Sequence, residues 1–251
     1  MKMLKSKFDF RKENQKNWEK NSTYWLNNPL RQVEDTQSFF KKKLLSLVKP
    51  NMTIIDMGCG SAWLLEFLLE LDIDFKYIGL DFNPIFIKHL KNKYHSKSNV
   101  EFIEIDFEEG IPKKLIQKAD IVFNLFTFFE NSDLDTAFSN AHQMLKANGE
   151  LVIFTIDCIF LILAVSRNME EFKEKLKMYE EIKSTGEVPY FFQNIDLGDA
   201  ESEDLKYASV LYSFDDYYKQ ANLLGMKLSD YGEVVKTSKF LPKTYQYMVF
   251  K

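Results

Sequence analysis

The chain has 251 residues, 45% of them hydrophobic, and a formal net charge of -4. This length and apolar content allow a full hydrophobic core, so we expect one α/β domain with appendages rather than two independent domains. Acidic and basic residues are mixed along the chain, which argues against the strongly basic face that nucleic-acid binding requires.

The cysteines and the apolar segments point to a cytoplasmic protein. Cys59 and Cys158 are the only cysteines, and neither has a second Cys or a His at metal-ligand spacing, so we predict no metal site. Polar and charged residues stand at the N-terminus in place of an apolar signal core. The most apolar run, residues 158–165, is far shorter than the roughly 20 residues that span a bilayer. We therefore expect no membrane association.

The N-terminal part combines a polar leader with a predicted helix. The leader is rich in lysine, yet it contains Trp18, Tyr24 and Trp25. Apolar residues at helical spacing predict a helix over residues 35–48. We expect residues 1–50 to form an N-terminal helical cap.

The middle of the chain alternates between two kinds of hydrophobic pattern. Strands are predicted at residues 53–56, 77–80, 100–105, 121–125 and 150–155, and helices at residues 62–71, 84–94 and 134–145. Strands that alternate with helices of this length form a parallel sheet with crossover helices. The pattern over residues 51–157 therefore predicts a doubly wound α/β core.

The regular alternation stops after residue 157. We interpret residues 158–211 as an insertion over the ligand-binding edge of the sheet, with an amphipathic helix at residues 169–183. The remaining elements are a helix at residues 215–224 and strands at residues 227–231 and 245–250, separated by a turn at residues 241–243. Residues 212–251 thus resume the α/β pattern.

A glycine loop follows the first predicted strand, with the sequence DMGCGSA at residues 56–62. Glycines in a strand-to-helix turn permit tight backbone angles and the close approach of a ligand, while free amides at the helix start face that ligand. A dinucleotide fingerprint needs a third glycine at the position of Trp63, which disfavours NAD. The loop therefore predicts a nucleoside site of another kind.

The acidic residue and the glycine spacing carry a resemblance to one family. Asp56 stands two residues before Gly58, and Gly58, Gly60 and Ala62 fall at every second position. This pattern resembles the D-x-G-x-G-x-G motif of class I methyltransferases, with Ala62 in place of the last glycine. The resemblance implies that S-adenosylmethionine is the cofactor.

The ends of the later strands match the same family in order. Asp81 ends the second strand, where a carboxylate can accept hydrogen bonds from both hydroxyls of a ribose. Asp106 and Phe107, at the end of the third strand, resemble the family's adenine site. The fourth strand ends near Asn124, which in relatives borders the methionine part of the cofactor.

The resemblance also implies how the fold is completed. It covers about residues 40–157 and 212–251, and it implies one domain built on a mostly parallel seven-stranded sheet with a C-terminal antiparallel strand. Similar small-molecule methyltransferases fold an aromatic N-terminal helix over the cofactor, where Tyr24 and Trp25 can pack against the sulfonium. The cofactor-binding residues expected from the resemblance are Tyr24, Trp25, Asp56, Gly58, Gly60, Asp81, Phe82, Asp106, Phe107 and Asn124.

The sequence contains no convincing general base. Methyl transfer depends mainly on placing the acceptor in line with the methyl group, so a base is optional. The histidines expected on the surface are His89, His95 and His142. Glu130 and Asn131 follow the fourth strand and Asp157 follows the fifth, at the edge where ligands bind in such sheets. These three residues are the candidates for catalysis or substrate binding.

We expect methyl transfer to an oxygen or nitrogen of a small metabolite, such as a sugar, a natural-product intermediate or an amine. A solvated surface explains the acidic run at residues 199–204 most simply; in contact with the substrate, the run would favour an amine or a polyol over a phosphorylated anion. Two alternatives stay open: an NAD-dependent oxidoreductase, and a non-catalytic nucleoside-binding module. The partners expected are a small-molecule acceptor, no nucleic acid and no membrane, for a monomer or a homodimer.

Overall fold

The computed structural model describes residues 7–29, 37–164, 166, 168–187, 189–194, 206–237 and 242–251. The helices are α1 (Lys7–Asn27), α2 (Gln37–Leu47), α3 (Trp63–Leu68), α4 (Pro84–Lys93), α5 (Leu134–Met144), α6 (Cys158–Ala164), α7 (Met169–Ser184) and α8 (Phe214–Leu223). The strands are β1 (Met52–Met57), β2 (Phe75–Asp81), β3 (Val100–Glu104), β4 (Ala119–Leu125), β5 (Leu145–Ile156), β6 (Tyr190–Asn194), β7 (Lys206–Val210), β8 (Leu228–Thr237) and β9 (Pro242–Phe250).

The main sheet has seven strands in the order β3-β2-β1-β4-β5-β9-β8. Strands β1 to β5 pair in parallel, and β9 runs antiparallel to both of its neighbours, β5 and β8. This arrangement confirms the predicted fold class, including the antiparallel C-terminal strand. The chain order reverses direction between β1 and β4, and such a switch point opens a crevice at the carboxyl ends of the strands.

Helices cover both faces of the sheet, which explains why its strands are apolar runs rather than alternating ones. Neighbouring residues of β1 illustrate this, because both Ile54 and Ile55 are fully buried. Ile54 belongs to the core on the side of α2, α3 and α4, and Ile55 to the core on the side of α5 and α8. The sheet therefore holds the carboxyl ends of its strands in fixed positions.

Helix α1 lies over the carboxyl edge of the sheet, although apolar periodicity does not predict it. Phe10 is fully buried against the core, but polar contacts provide much of the attachment. The amide of Asn83, the residue that precedes α4, donates to the backbone oxygen of Trp18 at 3.1 Å and to Oγ of Ser22 at 2.7 Å. Arg11 forms an ion pair with Asp106, which follows β3 in the chain. Within the predicted cap over residues 1–50, residues 7–27 and 37–47 are helical.

The insertion after β5 begins with two helices. Helix α6 contains most of the apolar run at residues 158–165, and its Leu161 and Ile162 are buried beside Tyr179 of α7. The helix predicted at residues 169–183 is confirmed as α7. Among the described residues, no helix has both the length and the apolar character that a membrane crossing requires.

A small antiparallel sheet of β6 and β7 completes the described part of the insertion, and the sequence patterns do not predict it. Strand β7 lies against α1, and the ring of Tyr190 is 5.0 Å from that of Phe10. The insertion therefore contacts the N-terminal helix. The acidic run at residues 199–204 lies outside the described residues.

The turn predicted at residues 241–243 is wrong in part. Pro242 and Lys243 belong to β9, where they pair with Thr237 and Lys236 of β8, while Leu241 lies outside the described residues. Proline is compatible with the first position of a strand, where its missing N–H leaves no gap in the ladder. Turn-forming composition therefore does not mark the boundary of this strand.

Asn83 allows a test of how α1 is attached. Its side chain caps α4 by accepting a hydrogen bond from Ile85 N at 2.9 Å, in addition to its two bonds to α1. We expect Asn83→Ala to lower the free energy of unfolding by about 1–3 kcal/mol, because it removes a cap and leaves buried groups unpaired. Asn83→Ser keeps a capping hydroxyl but is too short to reach α1. Amide hydrogen exchange should therefore rise at α1 in both variants and at the start of α4 only in Asn83→Ala; unchanged exchange at α1 would contradict this attachment.

Candidate active site

The glycine loop between β1 and α3 has the left-handed backbone that its sequence predicts. The φ angles of Gly58, Gly60 and Ala62 are +74°, +49° and +59°. A Cβ atom added at Gly58 would collide with the side chain of Thr127, whereas one added at Gly60 would meet no heavy atom within 4 Å. Gly58 is therefore required for packing, and Gly60 borders open space that a ligand can approach.

Asp81 connects this loop to the end of β2. Its Oδ2 accepts a hydrogen bond from Gly60 N at 2.9 Å, and its Oδ1 accepts one from Asn83 N at 2.9 Å. The carboxylate has further lone pairs that can accept ligand hydroxyls. Burial raises the pKa of Asp81 to about 6, against the opposing effect of these two amide hydrogen bonds. Asp81 is thus held in place beside the open space at Gly60.

Asp56 lies beneath the loop rather than in contact with the open space. Its carboxylate is buried and accepts a hydrogen bond from the hydroxyl of Tyr77 at 2.7 Å. Burial raises the pKa of Asp56 to about 7. The motif residue therefore supports the loop from below, and its carboxyl group is partly protonated near neutral pH.

A cavity lies between α1, the glycine loop and the segment that follows β4. Its lining consists of Asn14, Trp18, Trp25, Gly58, Cys59, Gly60, Ser61, Trp63, Asp81, Phe82, Phe86, Phe107, Leu125, Phe126, Thr127, Glu130 and Asn131. The sequence predictions that line it are Trp25, Gly58, Gly60, Asp81, Phe82, Phe107, Glu130 and Asn131. The fold thus brings α1, the glycine loop, the end of β2 and the segment after β4 together around one cavity.

Asp106 faces a second, more open cavity on the other side of Phe82, which lines both. Its Oδ2 accepts hydrogen bonds from Arg11 Nε at 3.1 Å, from Arg11 Nη2 at 2.5 Å and from Gln15 Nε2 at 3.0 Å. The predicted adenine contact is therefore also the docking point for the start of α1.

Three other predicted residues lie outside the lining of these cavities. Tyr24 packs edge to face on Trp25, with ring centroids 5.2 Å apart. Asn124 is fully buried, and its Oδ1 accepts a hydrogen bond from Phe128 N at 2.9 Å, which shapes the turn after β4. Asp157 accepts from Phe160 N at 3.0 Å and so begins α6. These three residues stabilise elements near the cavities without lining them.

Glu130, which the sequence predicts as a candidate for catalysis or substrate binding, lines the cavity together with Asp81. It is 8% exposed, and its Oε2 accepts a hydrogen bond from the indole N–H of Trp18. Burial raises the pKa of Glu130 well above its ordinary range, and the charge of Asp81 acts in the same direction. The predicted candidate is therefore a buried carboxyl group in the cavity lining, while His89, His95 and His142 are exposed as expected.

The cavity lining also includes Asn14 and Trp18, which are not among the site residues predicted from the sequence. Both lie on the face of α1 that also carries Arg11, Ser22 and Trp25, at intervals of three or four residues. That spacing is the signal that could have found them, since residues so spaced share one face of a helix. It was obscured because the face is mixed polar and aromatic rather than apolar.

A sequence model of the family described as "Methyltransferase domain" matches residues 48–212. This chain belongs to the methyltransferase family. The matched region contains the glycine loop, Asp81 and Glu130. The resemblance to class I methyltransferases is thereby confirmed, and S-adenosylmethionine is the cofactor of that family.

Two curated relatives align with about half of this methyltransferase. The malonyl-(acyl-carrier protein) O-methyltransferase of Acetivibrio thermocellus is 32% identical over 133 residues, which are 53% of this chain and 45% of that protein. The ubiquinone biosynthesis O-methyltransferase of Pelagibacter ubique is 28% identical over 135 residues, which are 52% of this chain and 54% of that protein. The chain thus spans about half the length of these relatives.

The fold extends further than the sequence similarity. A solved S-adenosylmethionine-dependent methyltransferase from Clostridium acetobutylicum is similar to 85% of this chain over 88% of its own length, with a TM-score of 0.58 and 16% identity. At this identity the likeness shows the shared fold alone.

The pKa of Asp56 gives a testable dependence of stability on pH. A carboxyl group whose pKa is higher in the folded than in the unfolded state binds its proton preferentially when folded, so stability falls as pH rises from about 4 towards 7. Between pH 5 and pH 8 we expect wild-type protein to lose roughly 3 kcal/mol more than Asp56→Asn. Urea unfolding at several pH values measures this difference.

Asp120→Asn is the control for this measurement. Burial raises the pKa of Asp120, but hydrogen bonds from Lys146 and Thr53 N outweigh it and lower the pKa overall. Its contribution to stability is therefore constant between pH 5 and pH 8. Equal pH dependence in wild type and Asp56→Asn would contradict the assignment.

Proposed function

We propose that this protein transfers a methyl group from S-adenosylmethionine to an oxygen atom of a small molecule. The observation that carries the proposal is the cavity in which a left-handed glycine loop, open space at Gly60 and the carboxylate of Asp81 meet at the switch point of the sheet. Both relatives named above are O-methyltransferases, which favours oxygen over nitrogen as the methylated atom.

The charge of the cavity fits a cationic cofactor. Asp81 and Glu130 line it, and the lining contributed by described residues includes no Lys, Arg or His. Aromatic rings, among them Trp18 and Trp25, add faces that attract a sulfonium. Gly58, Gly60, Asp81, Phe82 and Phe107 would hold the cofactor, with Asp81 accepting from the ribose hydroxyls.

The remaining predicted residues have less direct parts in the proposal. Phe82 lines both cavities, so a cofactor that extends past it would reach Asp106 with its adenine. Asp56, Asn124 and Tyr24 would support the loop, the end of β4 and the aromatic wall. The insertion at residues 158–211 would shape the acceptor side of the site.

The two alternative functions are less well supported. NAD carries two phosphates, and the cavity lining contributed by the described residues includes the carboxylate of Asp81 but no Lys, Arg or His to pair with them. Trp63, at the third glycine position of the dinucleotide fingerprint, is buried and packs on Phe67. A non-catalytic nucleoside-binding module would use the same loop, and methyl transfer to any acceptor excludes it.

The chain's own residues provide placement and exclusion of water. When bound, S-adenosylmethionine would supply a methyl group on a positively charged sulfur. The sulfur would keep the electron pair of the broken C–S bond as the methyl carbon bonds to the acceptor oxygen, and the proton of the acceptor hydroxyl would pass to water. Asp81 and the loop amides orient the donor side, while α1 covers the cavity. Holding two reactants in line is worth several orders of magnitude in rate, so the proposal does not depend on a strong base.

Asp81 provides the test of the cofactor site. We expect calorimetric titration to show binding of S-adenosylmethionine and S-adenosylhomocysteine, and Asp81→Ala to weaken both roughly 10- to 100-fold, because hydrogen bonds to a charged group are lost. Ionised Asp81 favours a cation, and its pKa is about 6. Affinity for S-adenosylmethionine should therefore rise between pH 5 and pH 7 in wild type and change less in Asp81→Asn.

Glu70→Gln is a suitable control, because Glu70 is exposed, pairs with Lys41 and lies outside the cavity lining. Its affinity for both adenosyl compounds should equal that of wild type. Binding of NAD in place of the adenosyl compounds, or full affinity in Asp81→Ala, would contradict the proposed function.

A further inference from the structure

Two buried hydrogen-bond acceptors in the lining of the cavity have no donor. Oδ1 of Asn14, on α1, and Oδ1 of Asn131, after β4, lack a partner among the described residues, although the two residues are only 6% and 8% exposed. A buried acceptor that is left unpaired costs stability. Both atoms therefore point to a ligand that donates hydrogen bonds.

The side chain of Asn14 is held in place by its other end. Its Nδ2 donates to the backbone oxygen of Glu130 at 2.9 Å. That bond uses the donor of the amide and leaves the acceptor, Oδ1, for a ligand. It also brings α1 against the peptide that joins Glu130 to Asn131. The two unpaired acceptors therefore belong to the junction between α1 and the segment after β4.

A carboxyl group lies at the same junction. Oε2 of Glu130 accepts a hydrogen bond from the indole N–H of Trp18, which follows Asn14 by one turn of α1. No Lys, Arg or His is found among the described lining residues, so the carboxyl group has no cation beside it in this cavity. A ligand group that both donates hydrogen bonds and carries a positive charge suits this junction best, since it stabilises the ionised carboxyl group and pairs with the amide oxygens.

The order of the strands decides which part of the cofactor reaches this junction. Strands β3, β2, β1 and β4 are neighbours in that order, and Asp106 follows β3, Asp81 ends β2 and Glu130 follows β4. S-adenosylmethionine consists of an adenine, a ribose and an amino-acid part, joined in that order. With the ribose at Asp81 and the adenine towards Asp106, the amino-acid part extends past β1 towards Glu130. That part carries an ammonium group, which is both a donor and a cation.

We propose that Oδ1 of Asn14 recognises the ammonium group of the cofactor, with Glu130 as the counter-charge, so that the bound cofactor fastens α1 to the rest of the site. The inference rests on the proposed function and specifies how the cofactor is selected. Asn131 supplies a further acceptor. The carboxylate of the same amino-acid part meets no cation among the described lining residues, so neutral donors and water are left for it. The ammonium group therefore contributes more to the affinity than the carboxylate does.

The first experiment compares three ligands on the unaltered protein. Calorimetric titration uses S-adenosylhomocysteine, its deamino analogue, which keeps the carboxylate, and its decarboxylated analogue, which keeps the ammonium group. We expect loss of the ammonium group to weaken binding at least about tenfold, because hydrogen bonds to a charged group are lost, and loss of the carboxylate to weaken it less. A deamino analogue that binds as tightly as S-adenosylhomocysteine would overturn the proposal.

Amide hydrogen exchange tests the link between the cofactor and α1. At equal saturation, S-adenosylhomocysteine and the decarboxylated analogue should slow exchange in α1 more than the deamino analogue does, because only these two carry the group that Asn14 binds. Exchange in the glycine loop should slow equally with all three, since they share the adenosine. Equal protection of α1 by the three ligands would contradict the fastening of this helix.

A variant of Asn14 then assigns the effect to this side chain. Asn14→Leu should weaken binding of S-adenosylhomocysteine and of the decarboxylated analogue at least about tenfold, and that of the deamino analogue less than about threefold. Ser22→Ala is the matched control for a loosened α1, because its hydroxyl accepts from Asn83 and lies outside the cavity lining. It should change the three affinities by equal factors. An equal loss for all three ligands in Asn14→Leu would show a purely structural role and overturn the proposal.

The outcomes separate this inference from the proposed function. If neither S-adenosylmethionine nor S-adenosylhomocysteine binds wild-type protein, the methyl transfer itself is wrong and the assignment of Asn14 falls with it. If both bind and depend on Asp81, but removal of the ammonium group leaves the affinity unchanged, only the assignment of Asn14 is overturned.

Discussion

The hydrogen bond from Gly60 N to the carboxylate of Asp81 is the contact on which the rest of the site depends. It joins the loop after β1 to the end of β2, two strands that are already aligned by parallel pairing. The loop can keep its left-handed angles because a buried acceptor receives the amide that this backbone presents. The shape of the cavity and its open space at Gly60 both follow from that one junction.

Helix α1 forms the other half of the site and is held differently. The strands are fixed by apolar burial on both faces. Helix α1 combines buried rings, Phe10 in the core and Tyr24 and Trp25 beside Phe86 of α4, with polar contacts at its other positions. A helix with such a mixed face gains its stability from its docking surface. The cavity wall formed by α1 therefore depends on contacts between residues that are far apart in the chain.

Buried carboxyl groups give the site its electrostatic character. Asp56, Asp81 and Glu130 all lie in surroundings that disfavour the ionised form and raise their pKa values. A cationic cofactor relieves this cost for the groups that face it.

The sequence alone determined the alternation of strands and helices over residues 51–157, the family and the loop residues Gly58 and Gly60, because hydrophobic period and glycine spacing are local properties. Asp81 was also predictable, since a strand end is fixed by its pattern. Only the tertiary structure decided that Asn14, Trp18 and Glu130 meet in one wall, that Asp56 lies beneath the loop, and that Asp106 docks α1. These contacts join residues far apart in the chain, and α1 has no apolar stripe to reveal the face that it buries.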